Sequence, residues 1–218
     1  MADYSDEETV ERLRSWWQEN GTTLVIAVVV SVASLLGWRQ WQANTAQKAE
    51  AASVVYQQMM DSMEQSRGLP ATAPQSLQVS ALAEQLVESH SSSAYADYAR
   101  FVLARQAVES DDYEQAVTLL REVMDKPASA SIGWTARVRL ARVLLHTQDF
   151  DAVATLLNAS WPQAWHGQAF ELRGDLARAR GDVVAARDAY RQALDVLEEG
   201  GSHRDLVQMK LDDLASAS

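Results

Sequence analysis

Hydrophobic residues are distributed along the chain in two patterns. Between Thr22 and Trp38 they are continuous: TTLVIAVVVSVASLLGW is 17 residues without a charge, closed by Arg39, with Glu19 the nearest charge upstream. That length is at the short end of what spans a bilayer as a helix. Trp16 and Trp17 precede the run, and Trp38 and Trp41 follow it. As a helix, Trp17 to Trp38 covers about 32 Å, matching a hydrocarbon core of about 30 Å with an aromatic belt at each interface. A cleaved signal peptide would begin basic and end at small residues. Here the start, MADYSDEETVERLRSWW, is acidic, and Arg39-Gln40-Trp41-Gln42 is a poor cleavage context. A buried core helix would seldom carry paired tryptophans at both ends. The pattern predicts a tail over 1–21 and a transmembrane helix over 22–41. Within that helix Ala27/Ser31 and Ala33/Gly37 are small-xxx-small pairs, where a second helix could approach closely. Arg12 and Arg14 before the span balance Arg39 and Lys48 after it, so orientation rests on the short tail and the large C-terminal part, which favour N-in and C-out.

Beyond Trp41 the apolar positions change to helical spacing, with no convincing alternating strand. Ala43–Ser66 reads as one long helix with a stripe of Ala49, Ala52, Val55, Tyr56, Met59 and Met63, either continuing the membrane helix or bending away from it. Gly68–Pro74 breaks it, and a second helix runs from about Gln75 to Ser89, completing a divergent first pair over 43–89. A repeat follows. Leu103-Ala104 with Ala107 leads to Asp111-Asp112-Tyr113, then Ala116 and Leu120. Leu140-Ala141 with Leu144 leads to Gln148-Asp149-Phe150, then Val153 and Leu157. Phe170 and Gly174 with Ala177 lead to Gly181-Asp182, then Ala186 and Tyr190. Ala104, Ala141 and Gly174 are 37 and 33 residues apart, close to the roughly 34-residue tetratricopeptide period.

The residue types have a physical reason. Antiparallel helices cross closely only where side chains are small, at Ala104, Ala116, Ala141, Gly174 and Ala186; bulky Leu120, Leu157 and Tyr190 fill the space beside them. The Asp/Gly turns stop one helix and cap the next. The four extra residues of the first interval fit a loop at Pro127–Gly133. The predicted fold class is all-α: the membrane helix, then a tetratricopeptide-repeat-like right-handed superhelix over 42–218, with repeats at about 94–127, 132–162 and 166–199. A capping helix over 203–215 would turn Leu206, Met209, Leu211 and Leu214 inward and Asp205, Lys210, Asp212 and Asp213 to water.

Charge and chemistry narrow the function. A formal charge of −11, spread along the chain, argues against nucleic acid as a partner. The absence of cysteine excludes disulfides, thiol nucleophiles and thiolate metal sites. His90, His146, His166 and His203 show no metal-ligand spacing, and no nucleophile elbow or phosphate loop occurs. No catalytic, cofactor or metal site is expected, which leaves binding. In stacks of this kind the first helix of each pair lines the concave face. That places Tyr98, Phe101, Arg105, Val138, Arg142, Leu145, Glu171, Asp175 and Arg178 toward a groove of mixed character, suited to an extended or amphipathic polypeptide segment. It does not resemble a Lys/Asn-rich clamp for C-terminal carboxylates.

The acidic start with ERLRSWWQENG (Glu11–Gly21), the apolar span, GWRQWQ (Gly37–Gln42) and the terminal VQMKLDDLA (Val207–Ala215) together resemble the ancillary SecYEG translocon subunit family, over essentially the full chain. The resemblance implies a single-pass protein of the bacterial inner membrane, N-terminus cytoplasmic and helical domain periplasmic. It implies association with the Sec translocon and with a membrane-anchored parvulin-type prolyl isomerase, and a part in passing exported polypeptides to periplasmic chaperones. A scaffold for another envelope complex and an inhibitory anchor for a stress-response regulator are the alternatives.

Overall fold

The computed structural model describes residues 3–70 and 73–216. Ala71 and Thr72, inside the expected break Gly68–Pro74, lie outside the described residues. Two compact units are present, Met1–Ala51 and Ala52–Ser218.

The first unit is helical, part of α1 (Asp3–Gln65). Its apolar side chains have no core to enter: Val25, Ile26, Val28, Val29, Val30, Val32, Leu35 and Leu36 are all at least half exposed, as are the flanking Trp17, Trp38 and Trp41. Two of its serine hydroxyls bond within the helix, Ser31 Oγ donating to the Ala27 carbonyl at 2.7 Å and Ser34 Oγ to that of Val30 at 2.8 Å. Among the described residues no single helix is long and apolar enough to cross a membrane. The pair Glu8–Thr23 and Val25–Gln65, bent by 43° at the break between them, passes that test together, by length and composition.

The second unit is a run of helix pairs. The end of α1 is followed by α2 (Pro74–Ser89); α3 (Ala94–Glu109) pairs with α4 (Tyr113–Asp125); α5 (Ala130–His146) with α6 (Phe150–Leu157); and α7 (His166–Ala179) with α8 (Val183–Val196). A 3-10 turn, Gln163–Trp165, leads into α7, and α9 (Ser202–Ser216) ends the stack. The three inner pairs are joined by one device. At Asp111, Gln148 and Gly181 the backbone is left-handed, with φ of 60°, 60° and 82°. The following aspartate amide bonds back to the first helix: Asp112 to the Ala107 carbonyl at 2.8 Å, Asp149 to Leu144 and Asp182 to Ala177 at 2.9 Å. This is the Schellman arrangement, which satisfies the last carbonyls of a helix. The same aspartate then caps the second helix, its carboxylate accepting from Gln115 N at 3.0 Å, Ala152 N at 3.1 Å and Ala185 N at 2.9 Å.

The close crossings fall at the small residues. Ala104, Ala116, Ala141 and Ala186 are buried, and Leu120, Leu157 and Tyr190 beside them are buried too. At Gly174 the approach is closest, because the Tyr190 ring occupies the space a methyl group would need. The tyrosine has little freedom to retreat, since its hydroxyl donates to Asp175 Oδ1 at 2.7 Å.

Three expectations are corrected. Pro127–Gly133 is not a loop throughout, because α5 already begins at Ala130. Ser129 caps it by accepting from Ile132 N, and Pro127 packs over Gly133, where an added Cβ would lie 2.9 Å from the proline Cγ. The inward stripe of α9 is Val207, Leu211 and Leu214, whereas Leu206 and Met209 are exposed. Lys210, expected in water, reaches inward to bond two carboxylates.

Two stability predictions follow from these contacts. Gly174→Ala forces the Tyr190 ring against its anchor and lowers unfolding stability by about 1–3 kcal/mol, the usual range for overpacking. Gln148→Gly removes a left-handed penalty and raises stability by up to about 1 kcal/mol. Thermal unfolding of the full-length chain followed by circular dichroism checks both; equal midpoints for parent and Gly174→Ala would refute the first.

Candidate functional site

The first helices of successive pairs are neighbours, α3 packing on α5 and α5 on α7. Side chains projecting from them form two clusters. The first is aromatic. The Tyr56 ring lies 5.0 Å from Tyr95 and 6.0 Å from Tyr98, and Tyr98 lies 6.5 Å from Phe101, all tilted as ring quadrupoles prefer. Tyr98 is 44% exposed and Phe101 only 5%. The Arg139 guanidinium sits over the Phe101 ring, 4.3 Å from its centroid, a cation–π contact that ends the aromatic row.

The second cluster is ionic and centres on Glu171 of α7, whose side chain is 1% exposed. Lys210 donates to its Oε1 at 2.6 Å, while His203 lies 2.8 Å and Arg142 3.3 Å from its Oε2. Lys210 also bonds both oxygens of Asp175, at 2.8 and 2.7 Å, and Tyr190 donates to the same carboxylate. Burial pushes the Glu171 carboxyl up, but the bonds from Lys210 and His203, with the charges of Lys210 and Arg142, outweigh it and hold the group below the usual carboxylate range. Burial, then the bond to Asp175, holds the Tyr190 phenol above its ordinary value. Beside this cluster is an open hollow of about 390 Å³ lined by Arg142, Leu145, His146, Asp175, Arg178, Ala179 and Lys210. His146 is placed by a 2.9 Å bond with the Tyr113 hydroxyl and by ring contact at 4.8 Å.

The residues singled out by sequence are distributed between these features. Tyr98 and Phe101 belong to the aromatic row. Arg142, Leu145, Asp175 and Arg178 line the hollow, and Glu171 lies beneath it. Val138 is buried in the central core. Arg105 is exposed and paired with Glu109 on its own helix at 2.7 Å, outside both clusters. Arg139 replaces Val138 on this face, one residue along the helix. Tyr56, Tyr95, His146, His203 and Lys210 also belong here and were not foreseen. Arg139 was legible as the i−3 neighbour of Arg142, but the contributions from α1 and α9 depend on tertiary packing. In the first unit Ala27, Ser31, Ala33 and Gly37 lie on exposed helix surface, and an added Cβ at Gly37 would meet nothing within 4 Å. Among the described residues no group of three or more His, Asp or Glu is placed to hold a metal ion.

This arrangement defines a class: a repeat stack of antiparallel helix pairs whose first helices present an aromatic and ionic face. The model of a family described as tetratricopeptide repeat-like domain matches residues 14–216. An ancillary SecYEG translocon subunit of Haemophilus influenzae is 28% identical over 211 residues, covering 96% of this chain and 97% of the relative. Proteins of the same description from Aggregatibacter actinomycetemcomitans (25% identical, 96% and 97% covered) and Escherichia coli K12 (26%, 97% of each) also align over their length. The chain belongs to the tetratricopeptide repeat-like domain family, and over its full length it is similar to the ancillary SecYEG translocon subunits. No solved structure matches it.

The depressed Glu171 value carries a pH prediction. A carboxyl whose folded pKa is lowered contributes stability that is complete above its unfolded value of about 4.3 and is lost as pH falls through the lower folded value. The parent chain therefore loses stability on acidification below about pH 4.3, and Glu171→Gln has a shallower dependence there. At neutral pH the variant is less stable by about 1–3 kcal/mol, as charge-assisted bonds are lost while Asp175 still holds Lys210. Urea unfolding between pH 3 and 7 tests this; identical pH slopes would show that Glu171 does not carry the acid sensitivity.

Proposed function

We propose that this chain is an accessory subunit of the SecYEG translocon, anchored in the bacterial inner membrane by the helix over 22–41. In this reading the tail 1–21 is cytoplasmic and the domain 42–218 is periplasmic. Its binding face receives exported polypeptides and helps pass them to periplasmic chaperones, with a membrane-anchored parvulin-type prolyl isomerase as a further partner. The observation that carries the reading is the full-length likeness to relatives that share one description, ancillary SecYEG translocon subunit.

Physical features of both units support it. A helix whose valines, isoleucine and leucines are exposed on every side needs an apolar surrounding. Lipid supplies that, and it requires the in-helix satisfaction of hydroxyls made by Ser31 and Ser34. The tryptophans at either end suit the two interfaces. In the second unit Tyr98 offers flat apolar surface and the arginines offer donors, a combination able to hold extended segments of varied sequence weakly. Anchoring beside the translocon exit raises the local concentration of such segments, so weak contacts suffice.

Photo-cross-linkers at Ala27 and Ala33, and separately at Tyr98 and Arg142, would test the reading in native membranes. Translocon adducts from the first pair and secretory polypeptides from the second are expected. A single fixed envelope partner at all four positions, with no secretory chain, would overturn it in favour of a scaffold.

A further inference from the structure

The chain carries a formal charge of −11, yet the face formed by α3, α5 and α7 concentrates cations. Arg139, Arg142 and Arg178 project from it, and Lys210 reaches it from α9. Two carboxylates, Glu171 and Asp175, stand among them, and their acceptor capacity is largely taken by Lys210, His203 and Tyr190. Arg142 makes one contact with Glu171, at 3.3 Å, and its side chain stays 49% exposed. Its other guanidinium hydrogens are available, since the group carries five. Among the described residues, no ion pair is formed by Arg178 or by Arg139. Arg139 is instead packed against Phe101 on one side and feels the repulsion of Arg142 on the other. Burial, followed by that like charge, pulls the Arg139 guanidinium below its ordinary value. Two cations three residues apart on one helix face, of which Arg142 alone has an ion pair, are electrostatically costly as they stand. One external anion would relieve them.

The neighbouring groups define which anion. The aromatic row runs directly into the cations, with steps of 6.5 Å from Tyr98 to Phe101 and 4.3 Å from Phe101 to Arg139. At about 3.3 Å per residue, these steps laid end to end reach no further than roughly three residues of extended polypeptide. The hollow next to Arg142 and Arg178 is open and of about 390 Å³, room for a side chain rather than for a folded partner.

We propose that Arg139, Arg142 and Arg178 form a subsite for an acidic side chain of an extended polypeptide, whose apolar or aromatic residue about three positions away rests on Tyr98. This rests on the reading of the face as a polypeptide-binding groove and gives that groove a preference. Segments pairing an aromatic residue with a nearby aspartate or glutamate are held longest. Bonds from guanidinium to carboxylate are charge-assisted and frequently bidentate, so they supply discrimination where stacking on tyrosine supplies little.

The test uses the full-length protein in detergent and fluorescence anisotropy of two labelled decapeptides. Both carry one phenylalanine, followed three residues later by aspartate in one and asparagine in the other. The aspartate peptide is expected to bind roughly tenfold more tightly, the worth of one charge-assisted bond, with a preference that shrinks as salt is raised. Arg178→Gln, at an exposed residue without an ion pair, should bring the aspartate peptide toward the asparagine level while the circular dichroism spectrum is unchanged. Arg105→Gln, outside the subsite, should retain the preference. Equal binding of the two peptides to the parent protein would overturn the acidic subsite and leave the groove standing. Failure of both to bind would overturn the groove itself. Displacement of the aspartate peptide by inorganic phosphate at equimolar concentration would overturn the choice of a polypeptide carboxylate as the occupant.

Discussion

The contact between the Tyr190 ring and the bare backbone of Gly174 organises the C-terminal half of the structure. Only a residue without a Cβ lets α8 come this close to α7. That approach brings the Tyr190 hydroxyl to Asp175, which accepts from it at 2.7 Å. Asp175, held in this way, offers Lys210 both carboxylate oxygens, and the same ammonium bonds Glu171. Two carboxylates and one lysine thus join α9 to the last pair through a largely buried bridge. The bridge would be expensive to desolvate without such complete pairing. What appears as a ligand-facing hollow is therefore floored by a structural network, and the cations free to act on a partner are those the network does not consume.

The same economy of residue type recurs at the turns. Three connections use one backbone solution, a left-handed residue followed by an aspartate that ends one helix and caps the next. The aspartate is held to its type by the carboxylate that caps the second helix, while its amide, which any residue but proline could supply, closes the first. The residue before it is not so held, and Asp111, Gln148 and Gly181 occupy it in turn. A left-handed asparagine or aspartate is tolerated better than most side chains, and glycine best. Gln148 therefore carries a local cost that the packing of α5 on α6 must offset. Repeats of this kind diverge where only the backbone is engaged and stay alike where a side chain is too.

This difference explains how much was legible. The small residues at 104, 141 and 174, the Asp turns and the bulky partners at 120, 157 and 190 carried the architecture, because each is dictated by a close approach or a cap that leaves few alternatives. The start of α5 was misread because PASASIG has turn composition, whereas the serine at 129 acts as a cap and the glycine at 133 accommodates a proline ring. In α9 several leucine-like residues compete for the inward face, and periodicity alone favoured Leu206 and Met209 over Val207. A lysine was assigned to water by default, since its carboxylate partners lie 35 and 39 residues away. The site was partly legible on the first helix of each pair, where Tyr95, Arg139 and His146 were still missed, and illegible wherever α1 or α9 contributed. Four of the nine groove residues line the hollow, and Val138 went to the core because its neighbour Arg139 takes the outward position.

The charge distribution connects structure to the proposed role. An acidic surface repels other acidic chains at long range, which discourages indiscriminate adhesion. The arginines of the binding face act only within about 10 Å at moderate ionic strength, since salt screens them beyond that. A polypeptide must therefore already be close before the face attracts it, and a membrane anchor is a direct way to enforce closeness. A tight groove would hold its clients and impede their passage. A weak one, made of a tyrosine surface and a few half-exposed guanidiniums, exchanges them rapidly. In the proposed reading the apolar helix supplies effective concentration, so the groove needs only enough affinity to bias which segments linger.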